Sequence, residues 1–335
     1  MNILITGGAG FVGSQLGDYL MDQGHQVVLL DNLSYGHKDN LLQGKFVHED
    51  IRNVEGLKAV MQEHSTEAVI HLAGVAPLPD CQANPLDAYS NNVLGTINVL
   101  ETCRQLGIRK IIFASTSAVY ENCKQLPFVE DKIEKQPNLM YSTTKMHCEM
   151  LCDNYVETYG MDIVCLRLFN VYGPHQDYRR KHPPLMGYIT QCLLNNTTPV
   201  FFSDGNQRRD YIHVRDLAKC FERVLLVDGI AGEKFNVCTG ETLSVKEIFA
   251  MFKKEFNSTT TALFEESEKF WDKYPSLFTK PFPLSKDRVK EEVNKISVGS
   301  YDKANKLLGW SPEISPEEGI KDCVDFVKFL EKNNL

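Results

Sequence analysis

One loop near the start of the chain limits the folds open to it. The apolar run Ile3-Leu4-Ile5 leads straight into Thr6-Gly7-Gly8-Ala9-Gly10-Phe11-Val12-Gly13, a Gly-x-x-Gly-x-x-Gly loop that opens a helical pattern. Glycines at this spacing serve close approach. Gly7 allows a tight turn, Gly10 lets backbone come against a pyrophosphate, and Gly13 lets helix lie on strand. The helix N-terminus, with its unpaired N–H groups, then faces the phosphates, which puts Phe11 and Val12 beside them. A purely structural turn would use similar residues. The position of the loop, one strand in and one helix out, favours the nucleotide reading.

Further along, short β-branched runs alternate with helix-length patterns, the signature of an α/β fold with a doubly wound parallel sheet. Val27-Val28-Leu29-Leu30, Ala68-Val69-Ile70 and Lys110-Ile111-Ile112-Phe113 read as further buried strands, Ile163 to Leu168 as another, and Ser14 to Gln23 as the first helix. A chain of 335 residues exceeds one small core and suits a large α/β domain with a smaller partner. Gly173 to Pro184, rich in Pro, Tyr and Arg, reads as a loop and domain boundary. A short strand-like run, Pro199-Val200-Phe201-Phe202, follows, whereas residues 257–298 carry few periodic signals.

Asp31 closes the second strand 18 residues after Gly13, where a carboxylate accepts the ribose hydroxyls of adenosine and repels a 2′-phosphate. That selects NAD over NADP. Asn32, Ser34 and Gly36 follow in a loop able to wrap the adenosine; for Asn32 and Ser34 a polar turn that merely caps the strand is the alternative. Asp50-Ile51 and Leu72-Ala73-Gly74 fall at later strand ends, where adenine and the middle of the cofactor would pass. With 24% charged residues and a net charge of −8, the charge balance gives no sign of a nucleic-acid surface, which needs clustered cations that outweigh phosphate repulsion. It has no cationic leader and no apolar stretch of bilayer-spanning length, so a cytoplasmic protein without membrane contact is expected. Ten cysteines without a Cys-x-x-Cys pair argue for free thiols in a reducing compartment, and no metal is expected.

Tyr141 stands four residues before Lys145 and 25 after Thr116 in the hydroxyl run Ser115-Thr116-Ser117. On a helix, positions i and i+4 share a face, so phenol and ammonium can enter one site. Bringing a phenol from its ordinary pKa to neutrality takes about 4 kcal/mol. An ammonium at contact distance supplies about 1 kcal/mol in water and about 4 at an effective dielectric near 20. Lys145, helped by a positive nicotinamide, therefore suffices only in a partly dry cleft. Thr116 is placed to bond the reacting oxygen, and Ser115 is a cofactor-side candidate, although strand-end hydroxyls often satisfy only backbone. Such a group beside an oxidised nicotinamide removes a proton and a hydride from a secondary alcohol. A Tyr–Lys pair alone is common on amphipathic helices; the loop and the hydroxyl run give it weight.

Together with these, His71-Leu72-Ala73, Asn91-Asn92-Val93-x-Gly95-Thr96, Arg167-Leu168-Phe169-Asn170-Val171-Tyr172-Gly173-Pro174 and Arg209-Asp210-Tyr211-Ile212-His213-Val214-x-Asp216 resemble the extended short-chain dehydrogenase/reductase family, in its nucleotide-sugar epimerase and dehydratase branch. The resemblance spans nearly the whole chain. It implies a Rossmann-type NAD-binding domain over 1–171, to which 207–238 return, and a smaller mixed α/β substrate domain over most of 172–335. It implies that Asn92, with Tyr141, Lys145 and Ser115, lies at the cofactor, and that Thr116, Asn170, Phe202, Arg209 and Arg288 contact the substrate, Arg288 as the late arginine on the diphosphate. A homodimer through helices at Asn91–Leu106 and Tyr141–Tyr159 is implied as well.

The hydroxyl run then bears on the reaction. Dehydratases of this branch carry an Asp-Glu pair after the catalytic threonine, and the decarboxylases carry Glu where Ala118 stands here. C4 epimerisation needs neither, so a UDP-hexose 4-epimerase is the leading expectation. A dehydratase or decarboxylase with a relocated acid such as Glu121, which follows Val119-Tyr120 where Gly is usual, is the alternative, and a non-catalytic NAD sensor is a third. The loop Ala76-Pro77-Leu78-Pro79-Asp80-Cys81 also departs from the serine-rich form usual in UDP-hexose epimerases. The basic run Arg179-Arg180-Lys181-His182 reads equally as a substrate contact or a solvated loop.

Overall fold

β1 (Asn2–Thr6) is buried along nearly its whole length, which is why its sequence is a continuous apolar run rather than an alternating one. A computed structural model describes residues 1–41, 43–176, 178, 183–279 and 281–333; the run 179–182 lies outside the described residues. From β1 the chain enters α1 (Phe11–Asp22), then β2 (Gln26–Asp31), β3 (Lys45–His48), α2 (Val54–Glu63) and β4 (Ala68–His71). Short helices α3 (Leu78–Ala83) and α4 (Pro85–Tyr89) lead through a π-helical turn at Ser90–Leu94 into α5 (Gly95–Leu106). β5 (Lys110–Thr116), α6 (Met140–Tyr159) and β6 (Asp162–Leu168) complete this half.

The second half adds β7 (Asn170–Tyr172), α7 (Leu185–Leu194), β8 (Val200–Phe202), β9 (Arg208–Arg209), β10 (Tyr211–His213), α8 (Val214–Leu226) and β11 (Lys234–Val237). It ends with β12 (Leu243–Ser244), α9 (Val245–Glu255), β13 (Leu263–Glu265), α10 (Ser276–Thr279), α11 (Lys286–Asn294), α12 (Asp302–Leu308) and α13 (Pro316–Asn333). The main sheet has seven parallel strands in the order β11-β6-β5-β4-β1-β2-β3. The order reverses between β1 and β4, and ligands of doubly wound sheets bind beyond the strand ends at that point.

Because successive strand residues face opposite sides, β1 sends Ile3 and Ile5 into one core and Leu4 into the other. The first core is closed by α1 and by Leu217, Phe221 and Val224 of α8; the second by α2, α5 and α6 through Leu57, Val99 and Cys148. A third, smaller core of Tyr172, Ile189, Phe201, Ile248, Phe252 and Val324 lies among α7, α9 and α13.

The helix expected from Ser14 begins at Phe11, since Gly10 is its N-cap and the glycine loop needs no spacer before it. Gly7 has φ +74°, and a Cβ there would stand 2.8 Å from Ala73 N; a Cβ on Gly13 would stand 2.2 Å from Gly7 O. The illegible stretch 257–298 holds β13, α10 and α11. It gave no periodicity because β13 is wholly exposed and α11 buries only Val289.

Phe221 is fully buried where α8 crosses the sheet. Phe221→Ala is expected to lower the unfolding free energy by about 3–5 kcal/mol, read from the denaturant midpoint.

Candidate active site

Past the C-terminal ends of β1, β2 and β4 lies an open cleft of ≈ 790 Å³. Gly7, Gly10, Asp31, Asn32, Ser34, Gly36, Ile51, Leu72, Ala73 and Gly74 line it, together with Tyr35, Glu49, Arg52, Val75, Asp87 and Asn91, which sequence reasoning did not pick out. Their signal was only adjacency to the strand-end motifs.

The cleft fits NAD. α1 opens at the loop with no acidic side chain in its first turn, so the orphan N–H groups around Phe11 and Val12 are free to meet a pyrophosphate. Gly36 passes so close to Asp31 that a Cβ would stand 2.8 Å from its Oδ2. Asp31 itself is positioned by the backbone, accepting from Ala9 N at 3.1 Å and Leu33 N at 2.7 Å. Burial raises its pKa above the ordinary carboxylate value. Each oxygen keeps lone-pair capacity for a ribose hydroxyl.

Several of the side chains expected at the cofactor also have partners within the protein. Asp50 does not line the cleft: it takes a bidentate pair from Arg52 (Nε at 2.9 Å, Nη2 at 2.7 Å) and accepts from Asn32 at 2.8 Å, and the Arg52 bonds hold its carboxyl well below the usual range. Ser34 donates to Asn32 Oδ1 at 2.6 Å, so these two do form the polar turn while also lining the cleft. Asn92, in the π-helical turn, clamps both backbone groups of Val75 (2.7 and 3.1 Å) and donates to Thr144 of α6. It shapes the cleft without facing it. Ser115 donates to Glu149 at 2.5 Å.

Thr116 ends β5, accepts from Ala118 N at 3.1 Å and turns its hydroxyl toward Tyr141 in the first turn of α6. The hydroxyl draws the phenol's pKa down, but burial acts more strongly and pushes it up to about 12. Lys145 Nζ donates to Ala114 O at 2.8 Å and sits 4.8 Å from the centre of the Phe113 ring, its pKa lowered by burial. A Cβ on Gly74 would stand 3.7 Å from this ammonium, so Lys145 adjoins the cleft floor. Lys145 is buried and Tyr141 half-buried at the edge of the open cleft, and in the protein alone burial decides the pKa of the phenol.

Beneath, His71 links Thr6 (2.7 Å from Nδ1) to Thr96 (3.0 Å from Nε2). Thr96 donates to Asn92 O and Thr6 accepts from Ala73 N, so His71 is the Nε2–H tautomer. Burial, then Lys145, lowers its pKa to about 3, and it stays neutral.

The residues expected at the substrate divide. Asn170 donates to Asp210 O at 2.9 Å, and Arg209 to Glu292 O at 2.8 Å. Arg288 pairs with Glu121 and lies 3.6 Å from Glu292. Lys295, missed in the sequence, joins this group: burial lowers its pKa, and it feels the charges of Glu292, Arg209, Glu121 and Arg288. Phe202 instead packs edge-on to Phe270 and under Lys273, inside the second half. Glu121 is buried and accepts from Asn138 N (3.3 Å) and Leu139 N (3.2 Å), which leaves it poorly placed to act as a relocated acid.

Residues 3–238 match the model of the NAD dependent epimerase/dehydratase family. A UDP-glucose 4-epimerase of Halalkalibacterium halodurans is 34% identical over 328 residues, covering 93% of this chain and 91% of that one. A UDP-glucuronate 4-epimerase of Thermodesulfobacterium geofontis is 30% identical, covering 97% and 95%. The crystal structure of a UDP-glucose 4-epimerase with UDP-glucose from Thermotoga maritima superposes with a TM-score of 0.87 at 30% identity, covering 99% of this chain and 100% of that one.

Two contacts bridge the lips of the cleft: Tyr35 donates to Asp80 at 3.2 Å, and Arg52 lies 3.8 Å from Asp87. Tyr35→Phe is expected to speed NAD dissociation about two- to five-fold, as loss of one exposed hydrogen bond implies. Displacement by a fluorescent analogue measures it.

Proposed function

The chain belongs to the NAD dependent epimerase/dehydratase family, and on that premise we propose that it inverts C4 of a UDP-hexose through a transient 4-keto sugar. The observation that carries this reading is the position of Lys145 behind Gly74 of the cleft, its ammonium 3.7 Å from where a Cβ on that glycine would stand, with Tyr141 one helical turn before it packed against the cluster that contains the cleft residue Val75. Bound NAD supplies the acceptor for the C4 hydride and its return. Thr116 holds the reacting hydroxyl, and Tyr141 takes its proton and later gives one back. Lys145, together with the positive charge brought by the cofactor, offsets the burial that keeps the phenol neutral. Asn170, Arg209 and Arg288 hold the diphosphate while the ketone turns its other face.

The site has no carboxylate at Ala118, and Glu121 is engaged by backbone, so elimination of water or loss of carbon dioxide lacks its acid. Relatives named for UDP-glucose and for UDP-glucuronate support a UDP-linked hexose. Residues 1–171 with 207–238 serve the cofactor and most of 172–335 the nucleotide-sugar. A cytoplasmic setting agrees with ten free cysteines, nine of them buried. A homodimer through α5 and α6 would cover the exposed Leu94, Met150 and Tyr159.

Chromatography with mass detection after incubation with UDP-hexoses is expected to give a new peak of unchanged mass; a product lighter by water or carbon dioxide would refute the reading. Tyr141→Phe should lose at least about a thousand-fold in kcat while still binding NAD, in line with removal of the proton-transfer group. Gel filtration is expected to give twice the chain mass, and a single-chain mass would refute the dimer.

A further inference from the structure

The catalytic helix begins without a cap of its own. Its N-cap is Leu139, which offers no side-chain acceptor, and its first turn carries no acidic residue. Apolar N-caps are poor, because the first N–H groups of a helix need an acceptor and its positive dipole end favours an anion. Here a residue 18 positions upstream supplies both. Glu121 Oε1 accepts from Asn138 N at 3.3 Å and Leu139 N at 3.2 Å, and Oε2 also lies 3.2 Å from Leu139 N. Gln82 of α3 takes the next N–H, that of Met140, at 3.1 Å. Tyr141 is the residue after.

The same carboxylate is the partner of Arg288, which also donates from Nε to Asn138 Oδ1 at 3.3 Å. The Glu121 side chain is 1% exposed and that of Arg288 is 15% exposed, so solvent does little to screen the pair. Arg288 belongs to α11, 167 residues away, in the stretch that sequence patterns left blank. One buried anion thus joins the start of the catalytic helix to an arginine across the interface between the two halves.

We infer that Glu121 is a positioning residue that couples seating of the substrate diphosphate on Arg288 to placement of Tyr141. This rests on the reading that Arg288 faces the diphosphate. Arg288 is held where Glu121 directs it, and a shift of Arg288 toward or away from a phosphate is transmitted through Glu121 to the N–H groups of residues 138 and 139. A glycine at position 121 would leave both ends unconnected.

The test uses the NAD-loaded protein, with UDP binding by calorimetry, steady-state turnover of a UDP-hexose, and a thermal melt to show folding. Glu121→Gln, which keeps an acceptor but removes the charge, is expected to weaken UDP binding and to lower kcat, each about ten-fold, as loss of one charge-assisted contact implies. Arg288→Ala leaves the bonds from Glu121 to the helix in place, yet is expected to lower kcat at saturation as well as UDP affinity. The double variant should bind UDP within about two-fold of Arg288→Ala alone, as residues acting through one contact are non-additive.

Wild-type UDP affinity in Glu121→Gln would overturn the coupling even if kcat falls, since the residue would then only anchor the helix. An additive loss in the double variant, or an unchanged kcat in Arg288→Ala, would overturn it too. Should wild type bind UDP but turn over no UDP-hexose, the proposed reaction fails while the calorimetric comparison still decides the coupling. A wild type that does not bind UDP overturns both.

Discussion

The ion pair between Glu149 of α6 and Arg167 of β6 holds the catalytic helix on the sheet. Two bonds, at 3.0 and 2.8 Å, join side chains that are 1% and 2% exposed. Buried charges of this kind are costly unless every donor and acceptor is met. Here four of the five guanidinium N–H groups are met, since Arg167 Nη1 also reaches Tyr120 OH at 2.7 Å and Glu130 O at 2.8 Å, and Ser115 adds a bond to Glu149. Tyr120 passes on to Asn236 of β11 at 2.8 Å, and Asn236 N is met by Glu130. One network fixes β5, β6, β11 and the loop after β5 against α6. Removing either ion would leave the other buried and unpaired, at a cost of about 3–5 kcal/mol. The placement of Tyr141 against Thr116 inherits that rigidity.

Rigidity alone does not make the phenol reactive. Burial raises the Tyr141 pKa to about 12 and simultaneously lowers that of Lys145, because both charged forms lose hydration. The Thr116 hydroxyl opposes the rise only in part. The same burial that suppresses the phenolate magnifies any positive charge brought close to it, as dielectric screening falls. On the proposed reaction, the cationic ring of NAD would therefore bring the charge that makes the phenol a base. Neutral His71, locked between two threonines, adds no competing charge.

Much of this was legible in the sequence because it depends on local rules. The glycine loop, Asp31 at the end of β2 and the i, i+4 pair of Tyr141 and Lys145 are consequences of strand, turn and helix geometry within a few residues. The protein partners of Ser115, Asp50 and Asn92 were not legible, because a polar residue at a strand end has the same sequence whether its partner is a ligand or another side chain. Their partners, Glu149, Arg52 and Val75, are set by tertiary contacts. Lys295 and Arg288 stand in a stretch that buries few side chains and so shows no periodicity, and Glu121 stood out only as a departure from an expected glycine. Its role emerged from a contact with a residue 167 positions away.

On the proposed reaction, Tyr141 and its neighbours support removal and direct return of one hydride at C4. Turnover of UDP-glucose deuterated at C4, in ordinary water, follows that hydride. The expected product is a C4 epimer that keeps its deuterium, because the hydride never exchanges with solvent. An epimer that has lost the label to solvent would contradict it.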